Sequence, residues 1–206
     1  MTKTDNYEIR DARFKRSIKL DEPIEQIWTG GKWTEGPVYS PAFRCLIWSD
    51  IPNDRRIRWD ELTGSVGDIR SGLGCYTNGS TLDRQGRIVA CEHGTRSVTR
   101  IEHDGSVTTL ASHFQGKRFN SPNDVVVRSD NTIWFSDPAY GIESNYEGFE
   151  AEPELDGEHV YRLDPATGDI KQVTTDFACP NGLAFSLDEQ RLFIADSGGT
   201  RYKSGE

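Results

Sequence analysis

Four oxygen-bearing side chains head four similar stretches of this 206-residue sequence: Glu35, Asn78, Asn123 and Asn181. Carboxylate and amide oxygens are hard donors. They suit Ca²⁺, which takes about six to eight oxygen ligands at about 2.3–2.6 Å, and another divalent cation could use the same set. No histidine or thiol stands in these positions, which argues against zinc. Taken singly, Asn-Gly and Glu-Gly are also ordinary ways to start a strand with turn chemistry. The agreement in position favours a common function for Glu35, Asn123 and Asn181. Both of the latter asparagines follow a proline, which restrains the chain just before the presented side chain.

The elements that must position these groups read as strands. Glu35-Gly-Pro-Val-Tyr-Ser leads into Cys45-Leu-Ile-Trp-Ser-Asp50, and Asn78-Gly-Ser-Thr-Leu-Asp into Arg87-Ile-Val-Ala-Cys91. Asn123-Asp-Val-Val-Val-Arg leads into Thr132-Ile-Trp-Phe-Ser-Asp137, and Asn181-Gly-Leu-Ala-Phe-Ser into Arg191-Leu-Phe-Ile-Ala-Asp196. Each unit is a polar residue, a strand, a turn and a second strand. Further strands follow in the first three, at Arg56–Trp59, Ser97–Ile101 and Val160–Leu163. Turn chemistry recurs at Asp83–Gly86, Asp104-Gly105, Asp130-Asn131, Ala166–Gly168 and Leu187–Glu189, where residues tolerate positive φ or bond to their own backbone. No convincing helix stands out. Many short strands with evenly spaced turns read as all-β.

The unit heads lie 43, 45 and 58 positions apart, close to the period of a four-stranded propeller blade. The longer third spacing contains residues 143–158, rich in Glu, Asn and Gly, which read as an inserted surface loop. The expected architecture is therefore a β-propeller of about three and a half blades over residues 35–206. Residues 1–34 form an N-terminal extension and a candidate closing strand. In a propeller the first strand of each blade lines the central channel, so the four unit heads converge on one tunnel. The Gly-His and Trp-Asp signature of another propeller class is missing from the expected positions.

Composition narrows the partners. A net charge of −9 without a Lys/Arg stripe disfavours nucleic acid. No apolar run reaches membrane-span length, and residues 1–35 lack a signal-peptide core; a cytoplasmic location is the expectation. Only 34% of residues are hydrophobic, but they cluster in short runs, and five Trp, seven Tyr and nine Phe argue against disorder. The four cysteines form no C-x-x-C pair and read as buried, reduced thiols. There is no Gly-x-Ser-x-Gly elbow or nucleotide-binding glycine loop.

Glu35-Gly-Pro-Val-Tyr, Asn120-Ser-Pro-Asn-Asp-Val-Val-Val, Trp134-Phe-Ser-Asp-Pro-Ala-Tyr-Gly141 and Pro180-Asn-Gly-Leu-Ala-Phe-Ser-Leu-Asp188 resemble the SMP-30/gluconolactonase/LRE-like family over about residues 35–197. The resemblance implies a six-bladed propeller with one divalent ion, usually Ca²⁺, in the tunnel. It implies Glu35, Asn123 and Asn181 as metal ligands. It puts a fourth ligand, an Asp that is also the expected general base, beyond Glu206. It implies hydrolysis of a small-molecule sugar lactone to the aldonic acid, with Asn78 as a polar wall. Asn78, His93, Asp137 and Tyr140 are candidate substrate contacts. Against these stand a turn role for Asp137 before Pro138 and a satisfied core or surface role for His93. Asp124, beside Asn123, is read as a supporting or turn residue. A related esterase or phosphotriesterase on the same scaffold, or a non-catalytic calcium-binding propeller, are the other functions this pattern admits.

Overall fold

The computed structural model describes residues 2–3, 7–19 and 22–201. The chain divides into two compact units, Met1–Gly30 and Gly31–Glu206. In the first, β1 (Thr2–Lys3) pairs antiparallel with β2 (Glu8–Ile9), and one 3-10 segment follows at Ala12–Arg16. Asp11 caps that segment by accepting the Arg13 backbone N–H at 2.8 Å.

The second unit is built from antiparallel sheets that follow the repeat. Blade 1 is β3 (Thr34–Ser40), β4 (Cys45–Asp50), β5 (Arg55–Asp60) and β6 (Val66–Ser71). Blade 2 is β7 (Thr77–Leu82), β8 (Ile88–Glu92), β9 (Ser97–Ile101) and β10 (Val107–Ala111). A two-stranded ribbon follows, β11 (His113–Phe114) with β12 (Lys117–Arg118). Blade 3 is β13 (Val125–Val127), β14 (Ile133–Asp137), β15 (His159–Asp164) and β16 (Asp169–Thr174). The last described pair is β17 (Pro180–Phe185) with β18 (Leu192–Asp196). Each sheet is a meander, so strands adjacent in sequence are adjacent in space. The first strands pack side by side, β3 on β7, β7 on β13 and β13 on β17. This is the radial order of a propeller.

The turns form where the sequence places them. Gly86, Gly105, Asn131, Gly168 and Glu189 all have positive φ, the conformation that tight reversals need. Two one-turn helices appear that strand periodicity does not announce, α1 (Tyr140–Glu143) and α2 (Gly198–Arg201), together with a 3-10 turn at Ile51–Asn53. All are too short to show a helical repeat. Residues 144–158 contain no strand or helix and connect α1 to β15, as the inserted loop predicts.

The main core lies between blades 2 and 3. Val89, Cys91 and Val98 meet Phe119, Val125, Ile133, Phe135, Tyr161 and Leu163, all buried. Phe119, Phe135 and Tyr161 pack ring on ring with centroids 5.0–5.5 Å apart, a geometry that adds to their area burial. All four cysteines are buried and none forms a disulfide. Among the described residues no helix is long and apolar enough to cross a membrane.

Candidate functional site

The inner strands are tied to one another close to the unit heads. Ser49 Oγ donates to the carbonyl of Asn78 at 3.0 Å, and Gly79 N donates to the carbonyl of Asn123 at 2.7 Å. Ser136 Oγ donates to the carbonyl of Asn181 at 2.7 Å, and Asp124 Oδ2 accepts the Leu183 N–H at 2.6 Å. These bonds fix backbone spacing where the polar side chains leave the strands. The fit is tight: a Cβ on Gly36, whose φ is +58°, would stand 2.2 Å from the Asn78 carbonyl oxygen. Glycine follows Glu35 because only glycine can adopt that angle in that space.

A cavity of about 310 Å³ opens where the inner strands meet. Its lining includes Glu35, Asn78, Asn123 and Asn181, with Trp33, Tyr140, Glu147 and Ser197. All four unit heads therefore converge. Trp33 Nε1 donates to Glu35 Oε1 at 3.1 Å. Asn181 Nδ2 donates to Ser197 Oγ at 3.4 Å. Burial raises the Glu147 carboxyl, and the charges of Glu35 and Glu143 raise it further. Burial also raises Asp124, opposed by the N–H groups of Leu183 and Val125 and assisted by the charge of Glu35. A negatively charged cavity lined by one tunnel carboxylate, three amides and a second carboxylate has the hard donor set of an oxygen-ligated divalent cation. Among the described residues no three His, Cys, Asp or Glu side chains gather as a metal cluster. Fit to a cation therefore depends on amide oxygens.

Tyr140 reaches the cavity from α1. His93 does not line it. The ring is fully buried behind the wall, with Nε2 3.2 Å from Asn78 Nδ2 and 3.3 Å from Asn123 Nδ2. Its Nδ1 is 3.2 Å from the carbonyl oxygen of Glu147. Burial lowers its pKa to about 4, against the opposing effect of that carbonyl. Asp137 is also fully buried and away from the cavity lining. Its Oδ2 accepts the Asn120 N–H at 2.9 Å, so it holds the loop that enters β13. Asp50 accepts from Lys32 and Trp33 in the same way, and Asp196 from Ala178 and Cys179. The repeat explains Asp137: the aspartate ending each of these second strands secures the approach to its own inner strand. Asp124 is likewise a brace between β13 and β17. Trp33, Glu147 and Ser197 carry no periodic signal. Trp33 stands two residues before Glu35, while Glu147 lies in a segment with many glutamates.

The model of the SMP-30/Gluconolactonase/LRE-like region matches residues 33–203. The chain belongs to the SMP-30/gluconolactonase/LRE-like family. A gluconolactonase of Zymomonas mobilis is 29% identical over 197 residues, 90% of this chain and 54% of that protein. A solved gluconolactonase from Xanthomonas campestris superposes with a TM-score of 0.79 at 40% identity, over 84% of this chain and 57% of that one. Regucalcin of Oryctolagus cuniculus is 29% identical over 166 residues, 79% of this chain and 51% of that protein. The chain thus spans a little over half the length of these relatives. The matched residues 33–203 include the inner strands of this chain and the residues that line its cavity.

Proposed function

We propose that the whole protein hydrolyses a sugar lactone to its aldonic acid with the help of a divalent cation, calcium by its donor set. One observation carries the reading: in a member of this family, Glu35, Asn78, Asn123 and Asn181 converge on one acidic cavity. Glu35, Asn123 and Asn181 would hold the ion, as their hard oxygens suit calcium better than zinc. Bound there, a divalent ion supplies Lewis-acid polarisation of the lactone carbonyl.

The chain's own residues do the rest of the binding. Trp33 fixes Glu35 through its indole N–H and offers an apolar face to a sugar ring. Asn78 bounds the tunnel as a polar wall. Tyr140 and Glu147 stand where ring hydroxyls need partners, Glu147 as an acceptor when ionised. Asp137 and His93 support the wall from behind. A cavity of about 310 Å³ is at the small end for ligand sites and suits a monosaccharide-sized lactone.

The test is hydrolysis of D-glucono-1,5-lactone by the full-length protein, followed as acid release at constant pH. Activity should vanish with a chelator and return with Ca²⁺. Glu35→Gln should lower it at least about 100-fold, since even supporting groups around a metal are worth roughly 10–100-fold. Turnover indifferent to both treatments would sink the cation-dependent reading. Absence of turnover on any sugar lactone, with Ca²⁺ still bound, would retire the substrate and keep the ion.

A further inference from the structure

We propose that His93 is a positioning residue: its neutral ring, protonated at Nδ1, turns the Oδ1 atoms of Asn78 and Asn123 into the cavity and ties down the segment that carries Glu147. The proposal deepens the cation reading above and rests on it for the purpose of the amide oxygens.

The carbonyl oxygen of Glu147 only accepts, so the Nδ1 that faces it at 3.2 Å must carry hydrogen. The ring is fully buried, and its three hydrogen-bond partners are two amides and a carbonyl, none charged. An unpaired cation there would be costly, so the ring holds one proton and it sits on Nδ1. Nε2 is then a lone pair. Two amide groups converge on it, at 3.2 and 3.3 Å, and each must present N–H. An amide turned the other way would set its oxygen against that lone pair. The direction of an Asn amide is ordinarily read from its partners; here one ring decides two of them. His93 lies behind the cavity wall and both asparagines line the cavity. The oxygens turned away from the ring are therefore the ones offered to the cavity.

The other face of the ring meets the segment after β14. Gly141 passes so close that a Cβ on it would lie 2.5 Å from the His93 Cβ. Ser121 Oγ accepts the Gly141 N–H at 2.9 Å. Farther along, the Phe149 ring stands edge-on to Tyr76 with centroids 5.3 Å apart. His93 bonds the backbone of the one residue of the 144–158 stretch that lines the cavity. A single imidazole thus sets both the oxygens of the tunnel wall and the place of the second carboxylate.

Two variants separate the two bonds. In His93→Gln the terminal amide oxygen replaces Nε2 as acceptor, and the bond to the Glu147 carbonyl is lost. In His93→Asn the amide nitrogen replaces Nδ1 as donor, and the acceptor is lost. Terbium luminescence titration of the full-length protein reads the cation site without any substrate. We expect His93→Asn to weaken terbium binding about 10- to 100-fold and His93→Gln to stay within about 3-fold of wild type. Equal affinities in all three proteins would overturn the proposal. Long-range ¹H–¹⁵N spectra of the wild-type protein at neutral pH give a second reading that needs no variant. A ring protonated at Nδ1 supports the assignment and one protonated at Nε2 overturns it, even where a variant fails to fold. If wild type binds neither terbium nor Ca²⁺, the cation reading falls, and the tautomer alone decides whether His93 orients the amides.

Discussion

Blades 1 and 3 place a buried aspartate at the same point and treat it in opposite ways. Asp50 ends β4 and Asp137 ends β14, and both are fully buried. Both hold the entry to their inner strand through backbone N–H groups. Asp50 also accepts from Asn53 Nδ2 at 2.7 Å and from Arg55 at 2.9 Å. Burial alone would raise it, but Asn53, the Trp33 and Lys32 N–H groups and Arg55 together hold it below the usual carboxylate range. Asp137 has no such escort. Burial pushes it up to about 8, against the N–H groups of Asn120 and Ser121 and the charge of Arg96. The register explains the contrast. Asp50 pairs across the sheet with Arg55, five residues on, because a short 3-10 turn joins β4 to β5. Asp137 pairs with His159, whose Nε2 lies 3.2 Å from Asp156 Oδ1. Replacing the short turn by the 144–158 stretch takes the cation away from the carboxylate. The bracing role is the same in both blades because backbone N–H groups serve either charge state, more strongly the ionised one.

The inner strands differ too, and there the largest effect is expected. Gly36 follows the tunnel carboxylate of blade 1, whereas Asp124 follows the tunnel amide of blade 3 and accepts the Leu183 N–H. Gly36→Ala would put a methyl against the Asn78 carbonyl at a positive φ. It should cost about 3 kcal/mol or more, read as the shift in urea midpoint at unchanged slope. A loss under about 1 kcal/mol would mean the inner strands slide apart easily, and the two blades would then be equivalent here.

The next effect tests the aspartates directly. Asp50→Asn leaves Arg55 without its nearest carboxylate and weakens bonds to a charged acceptor. It should destabilise by about 2 kcal/mol. Asp137→Asn keeps an oxygen for the Asn120 N–H and gives up a carboxyl that is already largely neutral at pH 7. Its cost should be below about 1 kcal/mol, since the neutral carboxyl and the amide are both uncharged and each leaves one buried polar position without a partner. Equal losses would erase the distinction between the blades.

What could be read from residues alone follows the same division. Features set by neighbours in sequence were legible: strands, turns at Gly86 and Asn131, the long connection before β15, and the phase of Glu35, Asn78, Asn123 and Asn181. Each depends on a local period or on a residue that alone tolerates a backbone angle. Features set by contacts across blades were not. His93 meets Asn123 thirty positions away, so its place behind the wall leaves no mark near residue 93. Asp137 reads as a turn or substrate residue until its bond to Asn120, seventeen positions earlier, is seen. Glu147 is one of several glutamates in its segment, and only the path of the backbone past His93 selects it.

The most specific effect is in the pH dependence. Asp137 has a folded pKa raised above its unfolded value, so its contribution to stability is full below about pH 4 and is lost as pH rises through about 8. Asp50 is lowered, so its contribution is present above about pH 4 and lost only as pH falls below that. His93, lowered to about 4, contributes above about pH 6.5 and loses that contribution as pH falls toward 4. Between pH 4 and 6.5 it therefore opposes Asp137. The difference between wild type and Asp137→Asn cancels His93. It should move steadily against the wild type from pH 5 to pH 8.5, with Glu158 adding to the rise in the Asp137 pKa and Arg96 resisting it. The same difference for Asp50→Asn should stay constant over that range. If the Asp137 difference is also constant, its carboxylate is ionised throughout, the charge of Arg96 and the two N–H groups outweigh burial, and blade 3 holds its aspartate as blade 1 does.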